Sequence, residues 1–160
     1  MSFDPARQSR SDGPVEEPTT LARAAHAPDG GGPAAANAAD AGHRPELGFD
    51  CWFLSGPTAS GKTARAIGLA RDLGAEIVSV DSMAVYRGLD VGTAKPTDNE
   101  RRAVPHHVID VVAPSERYSV ARWLDDAAVA VADCRERGRQ ILFVGGTPLY
   151  LRALRDGLAP

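Results

Sequence analysis

At 160 residues the chain has room for one ordinary domain, and its formal net charge of −3 excludes the basic surplus that a nucleic-acid-binding domain normally carries. The charge divides unevenly: residues 1–48 hold four Arg against seven acids, and residues 49–160 hold fourteen of each sign, so a nucleic-acid partner has to be argued from motifs. No stretch approaches the roughly 20 apolar residues of a membrane span, and the two cysteines, Cys51 and Cys134, lack CxxC or His-rich spacing and read as buried structural thiols in a reduced cytosolic setting.

Residues 1–48 combine six prolines, the run Gly30-Gly31-Gly32-Pro33, three successive alanines and a single aromatic, Phe3. That composition cannot bury enough apolar surface to offset the entropy of ordering it, so the segment is expected to be a disordered leader ahead of a folded core at 49–160. It has no apolar h-region, and its acids argue against an organellar transit peptide.

The core opens with the apolar run Cys51-Trp52-Phe53-Leu54, a short strand ending at Ser55. Gly56-Pro57-Thr58-Ala59-Ser60-Gly61-Lys62-Thr63 follows, fitting G-x-x-x-x-G-K-[ST]. A glycine-rich turn of this kind aims successive backbone N–H groups at an anion and delivers the chain to a helix N-terminus. Lys62 adds a mobile charge for the far phosphates, and the Thr63 hydroxyl is the usual protein ligand to a Mg²⁺ riding on a diphosphate. A phosphate-bearing ligand is implied; ATP or another nucleotide is the first candidate, but the motif does not name it. Ala64, Ile67, Ala70 and Leu73 recur at helical spacing up to Gly74.

Residues 76–80 read as a second strand ending at Asp81-Ser82. Residues 83–105 are rich in Gly, Pro and polar side chains and read as an ordered loop, with a short helix at 99–103. Residues 107–112 read as a third strand. From 120 to 137 an apolar face of Val120, Trp123, Leu124, Ala127, Ala128 and Val131 predicts an amphipathic helix, with Ser119 as N-cap and Gly138 as the stop. Residues 141–144 give a fourth strand, closed by Gly145-Gly146-Thr147, and Pro148 starts a last helix at its favoured first position. Alternating strands and helices predict a P-loop NTPase-like three-layer α/β fold with a mostly parallel sheet. In such sheets ligands bind outside the carboxyl ends of the strands, which brings the P-loop, Asp81-Ser82 and Gly145-Gly146-Thr147 to one rim.

Asp81 has competing roles there: a ligand to Mg²⁺ opposite Thr63, a proton acceptor for a nucleophile, or merely a helix-capping or surface carboxylate. Gly145 and Gly146 allow close backbone approach to a ligand, with Thr147 offering a hydroxyl, although an ordinary strand-to-helix turn with Thr147 as N-cap reads equally well. The fourth strand ends in glycine where many P-loop hydrolases carry an Asp, which counts against a motor-type NTPase; Asp110 is the only comparable acid. His106-His107 has no Cys or His nearby in sequence at ligand spacing and reads as a structural pair.

Taken with the segments Val85-Tyr86-Arg87-Gly88, Asp90-Val91-Gly92-Thr93-Ala94-Lys95-Pro96, Val104-Pro105-His106-His107, Tyr118-Ser119-Val120 and Leu149-Tyr150, these motifs closely resemble the tRNA dimethylallyltransferases over about residues 51–160. The GTAKP and VPHH segments are far more specific than the P-loop alone. The resemblance implies transfer of a dimethylallyl group from dimethylallyl diphosphate to N6 of the adenosine adjacent to the tRNA anticodon, with release of diphosphate. It assigns the cradle (Gly56, Pro57, Thr58, Ala59, Ser60, Gly61, Lys62, Thr63) to the departing diphosphate, assisted by Mg²⁺ at Thr63. Asp81 would take the N6 proton during attack, since an adenine amino group is a poor nucleophile. Asp81, Ser82, Met83, Ala84 and Thr147 match positions that touch the tRNA, whose target base must leave the anticodon stack to reach the pocket.

Members of that family run to nearly twice the length of the matching region, with a helical insertion on the anticodon stem-loop and later tRNA- and phosphate-binding residues. The expectation is therefore an N-terminal portion, incomplete at the C-terminus, with an intact diphosphate end and little grip on tRNA, acting as a cytoplasmic monomer. A P-loop small-molecule kinase, an adenylate isopentenyltransferase acting on free nucleotide and a folding-incompetent remnant are the alternatives.

Overall fold

The computed structural model describes residues 20–24, 51–56, 61–90, 93 and 95–156. The rest of the N-terminal leader and Pro57, Thr58, Ala59 and Ser60 of the glycine-rich turn lie outside the described residues, and so do the expectations that fall on them.

Five strands form one sheet: β1 (Thr20–Ala24), β2 (Cys51–Ser55), β3 (Ala75–Val80), β4 (His106–His107) and β5 (Gln140–Gly145), in the order β1-β2-β5-β3-β4. The pairs β2–β5, β5–β3 and β3–β4 are parallel, as alternating strand and helix predict, and β1 is antiparallel to β2. The helices are α1 (Lys62–Leu73), α2 (Asp98–Ala103), α3 (Val120–Glu136) and α4 (Pro148–Asp156).

Strand periodicity builds the layers. On β5, Ile141 and Phe143 join the core beneath α3 and α4, whereas Leu142 between them joins the core beneath α1. On β3, Val78 and Val80 face the α3 side and Ala75 and Ile77 the α1 side. Ala66 and Ala70, the small buried residues of α1, let that helix lie close on the sheet. On the opposite face Trp123 of α3 is fully buried, donates its indole N–H to the Ser79 carbonyl at 3.0 Å and stacks on Tyr150 of α4 with ring centroids 4.5 Å apart. Both cysteines are buried and unpaired with each other.

Three features depart from the sequence reading. Residues 20–24, assigned to the leader, pair along their whole length with β2, from Thr20 opposite Ser55 to Ala24 opposite Cys51. The backbone donors and acceptors on the outer edge of β2 supply what the local sequence Thr-Leu-Ala-Arg-Ala does not signal by itself.

The third strand is only two residues long. After His107 the chain takes positive φ at Val108 (58°) and Asp110 (56°) and leaves the sheet. Residues 110–112 then bond to the loop after β3: Asp110 N to Ala84 O, Val112 N to Val85 O and Arg87 N to Val112 O, at 3.0, 3.1 and 2.8 Å. Left-handed backbone at a β-branched valine is costly, and these contacts, with the ion pairs on Asp110 described below, hold it.

The short helix begins at Asp98, one residue before the expected start, because Thr97 and Glu100 form a reciprocal capping box. In α3 the buried face continues beyond the predicted set through Ala130 to Cys134.

Candidate functional site

The carboxyl ends of β2, β3 and β5 and the loop after β3 enclose a cleft of about 740 Å³. Gly56, at the end of β2, forms one wall. Gly61 at φ 72° turns the chain into α1, whose first residues Lys62 and Thr63 also line the cleft. No side chain caps that helix end and its first turn holds no acid, so its N-terminal amides and dipole face the cleft as an anion-favouring pole. Burial pulls Lys62 below the ordinary lysine value, with the Asp81 carboxylate pulling it back.

Asp81 lies directly after β3 and lines the same cleft. Its Oδ1 accepts from the amides of Met83 (2.8 Å) and Ala84 (3.3 Å), a turn that fixes the carboxylate on the rim. Thr147 ties β3 to β5: its Oγ1 accepts from the Ser82 amide at 3.1 Å, and its own amide donates to the Val80 carbonyl at 3.1 Å. Its carbonyl accepts from Leu151 in α4, also at 3.1 Å. The helix-start reading of Thr147 and its rim position therefore hold together. The two glycines before it are needed for closeness. A Cβ on Gly145 would stand 2.3 Å from the Val80 carbonyl oxygen, and one on Gly146 would stand 3.0 Å from the Gly56 oxygen.

The far wall comes from residues that the sequence reading did not place in the site: Thr93, Lys95, Pro96, Ile109 and His106, which it read as half of a structural pair. Lys95 is the hub. Its buried Nζ donates to Asp110 Oδ1 at 2.6 Å, to Asp90 Oδ1 at 2.9 Å and to the Tyr86 carbonyl, while Arg101 holds the other Asp110 oxygen at 2.7 Å. Burial opposes the Asp110 carboxylate, but Lys95 and Arg101 outweigh it and hold its pKa below the ordinary value. Burial likewise pulls the His106 imidazole below its ordinary value, against the hydrogen bond of its Nδ1 with the Val104 carbonyl. The signal for this wall was present in the GTAKP and VPHH segments, but no spacing rule turns those strings into a buried lysine with three acceptors.

Among the expected site residues, Gly56, Gly61, Lys62, Thr63, Asp81, Ser82, Met83, Ala84 and Thr147 all line the one cleft. Met83 is half exposed at 47%. For Mg²⁺, the hard oxygens of Thr63 and Asp81 are of the type that binds it through one or two protein ligands and leaves the rest to phosphate and water. No helix among the described residues is long and apolar enough to cross a membrane.

Residues 84–160 match the family model for IPP transferase, and residues 49–110 match that for isopentenyl transferase. The tRNA dimethylallyltransferase of Methylibium petroleiphilum is 57% identical over 111 residues, covering 69% of this chain and 34% of that protein. That of Methylococcus capsulatus is 59% identical over 106 residues, covering 66% and 34%. Of the solved structures, the tRNA isopentenylpyrophosphate transferase of Bacillus halodurans superposes with a TM-score of 0.62 at 48% identity, over 66% of this chain and 36% of that one. A eukaryotic dimethylallyltransferase acting on tRNA gives 0.62 at 35% identity, over 66% of this chain and 26% of that one. The chain thus spans about a third of the length of these relatives, which are about three times as long as the matched stretch and not nearly twice, as the sequence reading had it.

Proposed function

We propose, from the match of residues 84–160 to the IPP transferase model and of residues 49–110 to the isopentenyl transferase model, that this chain holds dimethylallyl diphosphate and transfers its dimethylallyl group to N6 of the adenosine next to a tRNA anticodon. The observation that carries the reading is the convergence of Lys62, Thr63, Asp81 and Thr147 on one cleft at the strand ends, in a chain 57% identical to a tRNA dimethylallyltransferase over 111 residues.

In this reaction the N6 lone pair attacks the allylic carbon, the carbon–oxygen bond to diphosphate breaks, and the N6 proton passes to the Asp81 carboxylate. Lys62, the Thr63 hydroxyl and the first amides of α1 stabilise the charge that builds on the leaving oxygen, where preorganised donors contribute most. Thr63 would hold the Mg²⁺, which neutralises diphosphate charge when bound. The turn at Asp81 keeps one carboxylate oxygen on the Met83 and Ala84 amides, which orients the other for the proton. Thr147, joined to the Ser82 amide, sets the rim against which the flipped adenine rests. On this reading the reaction is cytoplasmic and the chain works as a monomer.

The test is incubation of the 160-residue chain with dimethylallyl diphosphate, Mg²⁺ and an anticodon stem-loop, read by the mass gain of the RNA and by diphosphate release. The expected result is one dimethylallyl group on the RNA, abolished by Asp81→Ala. ATP-dependent phosphorylation of a small molecule, with ATP displacing dimethylallyl diphosphate, would overturn the reading in favour of a kinase.

A further inference from the structure

Away from the cleft, three side chains of different metal-ligating chemistry meet on the α3 face of the sheet: Glu76 on β3, His107 on β4 and Cys134 on α3. Glu76 Oε2 is 2.7 Å from His107 Nε2 and 3.5 Å from Cys134 Sγ, and Cys134 Sγ is 3.6 Å from His107 Nε2. None of the three lines the cleft. Glu76 sits five residues before Asp81 on an extended strand, about 16 Å away at ~3.3 Å per residue.

We propose that Glu76, His107 and Cys134 form a binding site for a thiophilic divalent cation of the Zn²⁺ class, with the guanidinium of Arg137 as the group it displaces. The distances carry the argument first. Zinc–sulfur bonds of about 2.3 Å and zinc–nitrogen or –oxygen bonds of about 2.0–2.2 Å make the edges of a tetrahedron about 3.6 Å from sulfur and about 3.4 Å between the lighter donors. The two sulfur edges already have that length. Only the Glu76–His107 edge, now a hydrogen bond, has to open, by about 0.7 Å.

The second argument is the cation already seated there. Arg137 Nη2 donates to Glu76 Oε2 at 2.8 Å and to Asp133 Oδ2 at 2.6 Å, and it lies 3.8 Å from Cys134 Sγ. One guanidinium nitrogen thus stands among the donors that a metal would use. Arg137 caps the end of α3 and is 42% exposed, so it can swing into solvent while keeping its pair with Asp133. His107, partly exposed at 22%, gives the ion a way in to a Glu76 that is 3% exposed.

Charge and selectivity agree. Binding removes the Cys134 thiol proton to solvent, the thiolate and the Glu76 carboxylate balance the two positive charges, and Arg137 leaves with its own. One thiolate, one imidazole and one carboxylate favour Zn²⁺ or Co²⁺ over Mg²⁺ and Ca²⁺. The site is one the sequence hides, because its members are 31 and 27 residues apart in the chain.

The experiment is titration of the metal-stripped 160-residue chain with Co²⁺, followed by visible and near-ultraviolet absorbance, with Zn²⁺ as competitor. The expected result is one equivalent bound with a thiolate-to-cobalt charge-transfer band, and displacement of the cobalt by Zn²⁺. Cys134→Ser should remove the band, and His107→Gln, a substitution at a partly exposed position, should weaken binding about 10–100-fold. Arg137→Gln keeps all three donors and should tighten binding several-fold by removing the competitor. Absence of a charge-transfer band in the wild-type protein overturns the proposal, and so does cobalt binding that is unchanged in His107→Gln and not strengthened in Arg137→Gln.

Discussion

The hydroxyl oxygen of Thr147, just after β5, accepts a hydrogen bond from the backbone amide of Ser82, just after β3, at 3.1 Å. This contact joins the Asp81 turn to the strand end beside it. Thr147→Val keeps the shape and removes the acceptor, leaving a partly buried N–H without its partner. The expected loss is about 1–2 kcal/mol in urea denaturation, with Thr147→Ser near wild type. In the proposed transfer, Thr147→Val should lower kcat more than it raises the KM for dimethylallyl diphosphate, because the rim it supports lies on the acceptor side.

Gly145 and Gly146 should respond very differently to alanine. At Gly145 the new methyl would stand 2.3 Å from the Val80 carbonyl oxygen, inside the backbone of β3, and φ is 155°. The strands would have to part, at a cost on the order of 3 kcal/mol or more. At Gly146 the nearest atom is the Gly56 oxygen at 3.0 Å, a contact relieved if that carbonyl gives by a few tenths of an ångström. Gly146→Ala should therefore fold, with a melting temperature near wild type, and lose affinity for diphosphate in calorimetric titration.

The parallel sheet and the rim were legible because they rest on local signals. Strand-type apolar runs, a glycine-lysine-threonine turn and an amphipathic helix each announce themselves within a few residues, and the rule that strand ends meet places Asp81, Thr63 and Thr147 in one cleft. What the sequence hid is set by partners distant in the chain. Residues 107–112 carry the β-branched composition of a strand, yet Asp110 is drawn to Lys95 and Arg101 and takes its neighbours out of the sheet after two residues. Residues 20–24 have no strand pattern of their own and are ordered by the open edge of β2. The far wall of the cleft depends on the ammonium of Lys95, whose acceptors Tyr86, Asp90 and Asp110 come from three points of the loop region.

That wall should be sensitive to acid. Burial acts to raise the Asp110 pKa, but Lys95 and Arg101 hold it below the ordinary 3.8, so its ionised form is favoured in the folded state. Its contribution is complete above pH 3.8 and is lost as pH falls through the lower folded value. Asp110→Asn should destabilise the protein at neutral pH and should flatten the fall in stability below about pH 4. The check is the midpoint of urea denaturation at a series of pH values. Equal slopes in wild type and variant would show that Asp110 is not the titrating group.

Lys95→Met tests the same network from the other side. The side chain is 2% exposed and its ammonium faces Asp110 and Asp90, of which Asp110 is 28% and Asp90 67% exposed. Removing the charge leaves Asp110 with Arg101 alone, so the cost should be about 2–3 kcal/mol, below that of a fully buried pair. Asp110→Asn in the Lys95→Met background should cost much less than it does alone, an interaction energy that a double-mutant cycle reads directly.

Asp81→Asn should separate binding from chemistry. The asparagine carbonyl can still accept from the Met83 and Ala84 amides that now bond Asp81 Oδ1, so the turn and the fold survive. The negative charge that acts on Lys62 is gone. A diphosphate entering the cleft then meets one less repelling carboxylate and should bind as well as, or more tightly than, in the wild type. Transfer should fall by about 10²–10⁴-fold, the range of a missing general base. Calorimetric titration with diphosphate and single-turnover prenyl transfer check the two halves separately. Loss of both affinity and turnover would identify Asp81 as a support for the cradle, whereas retained turnover would remove it from the proton transfer altogether.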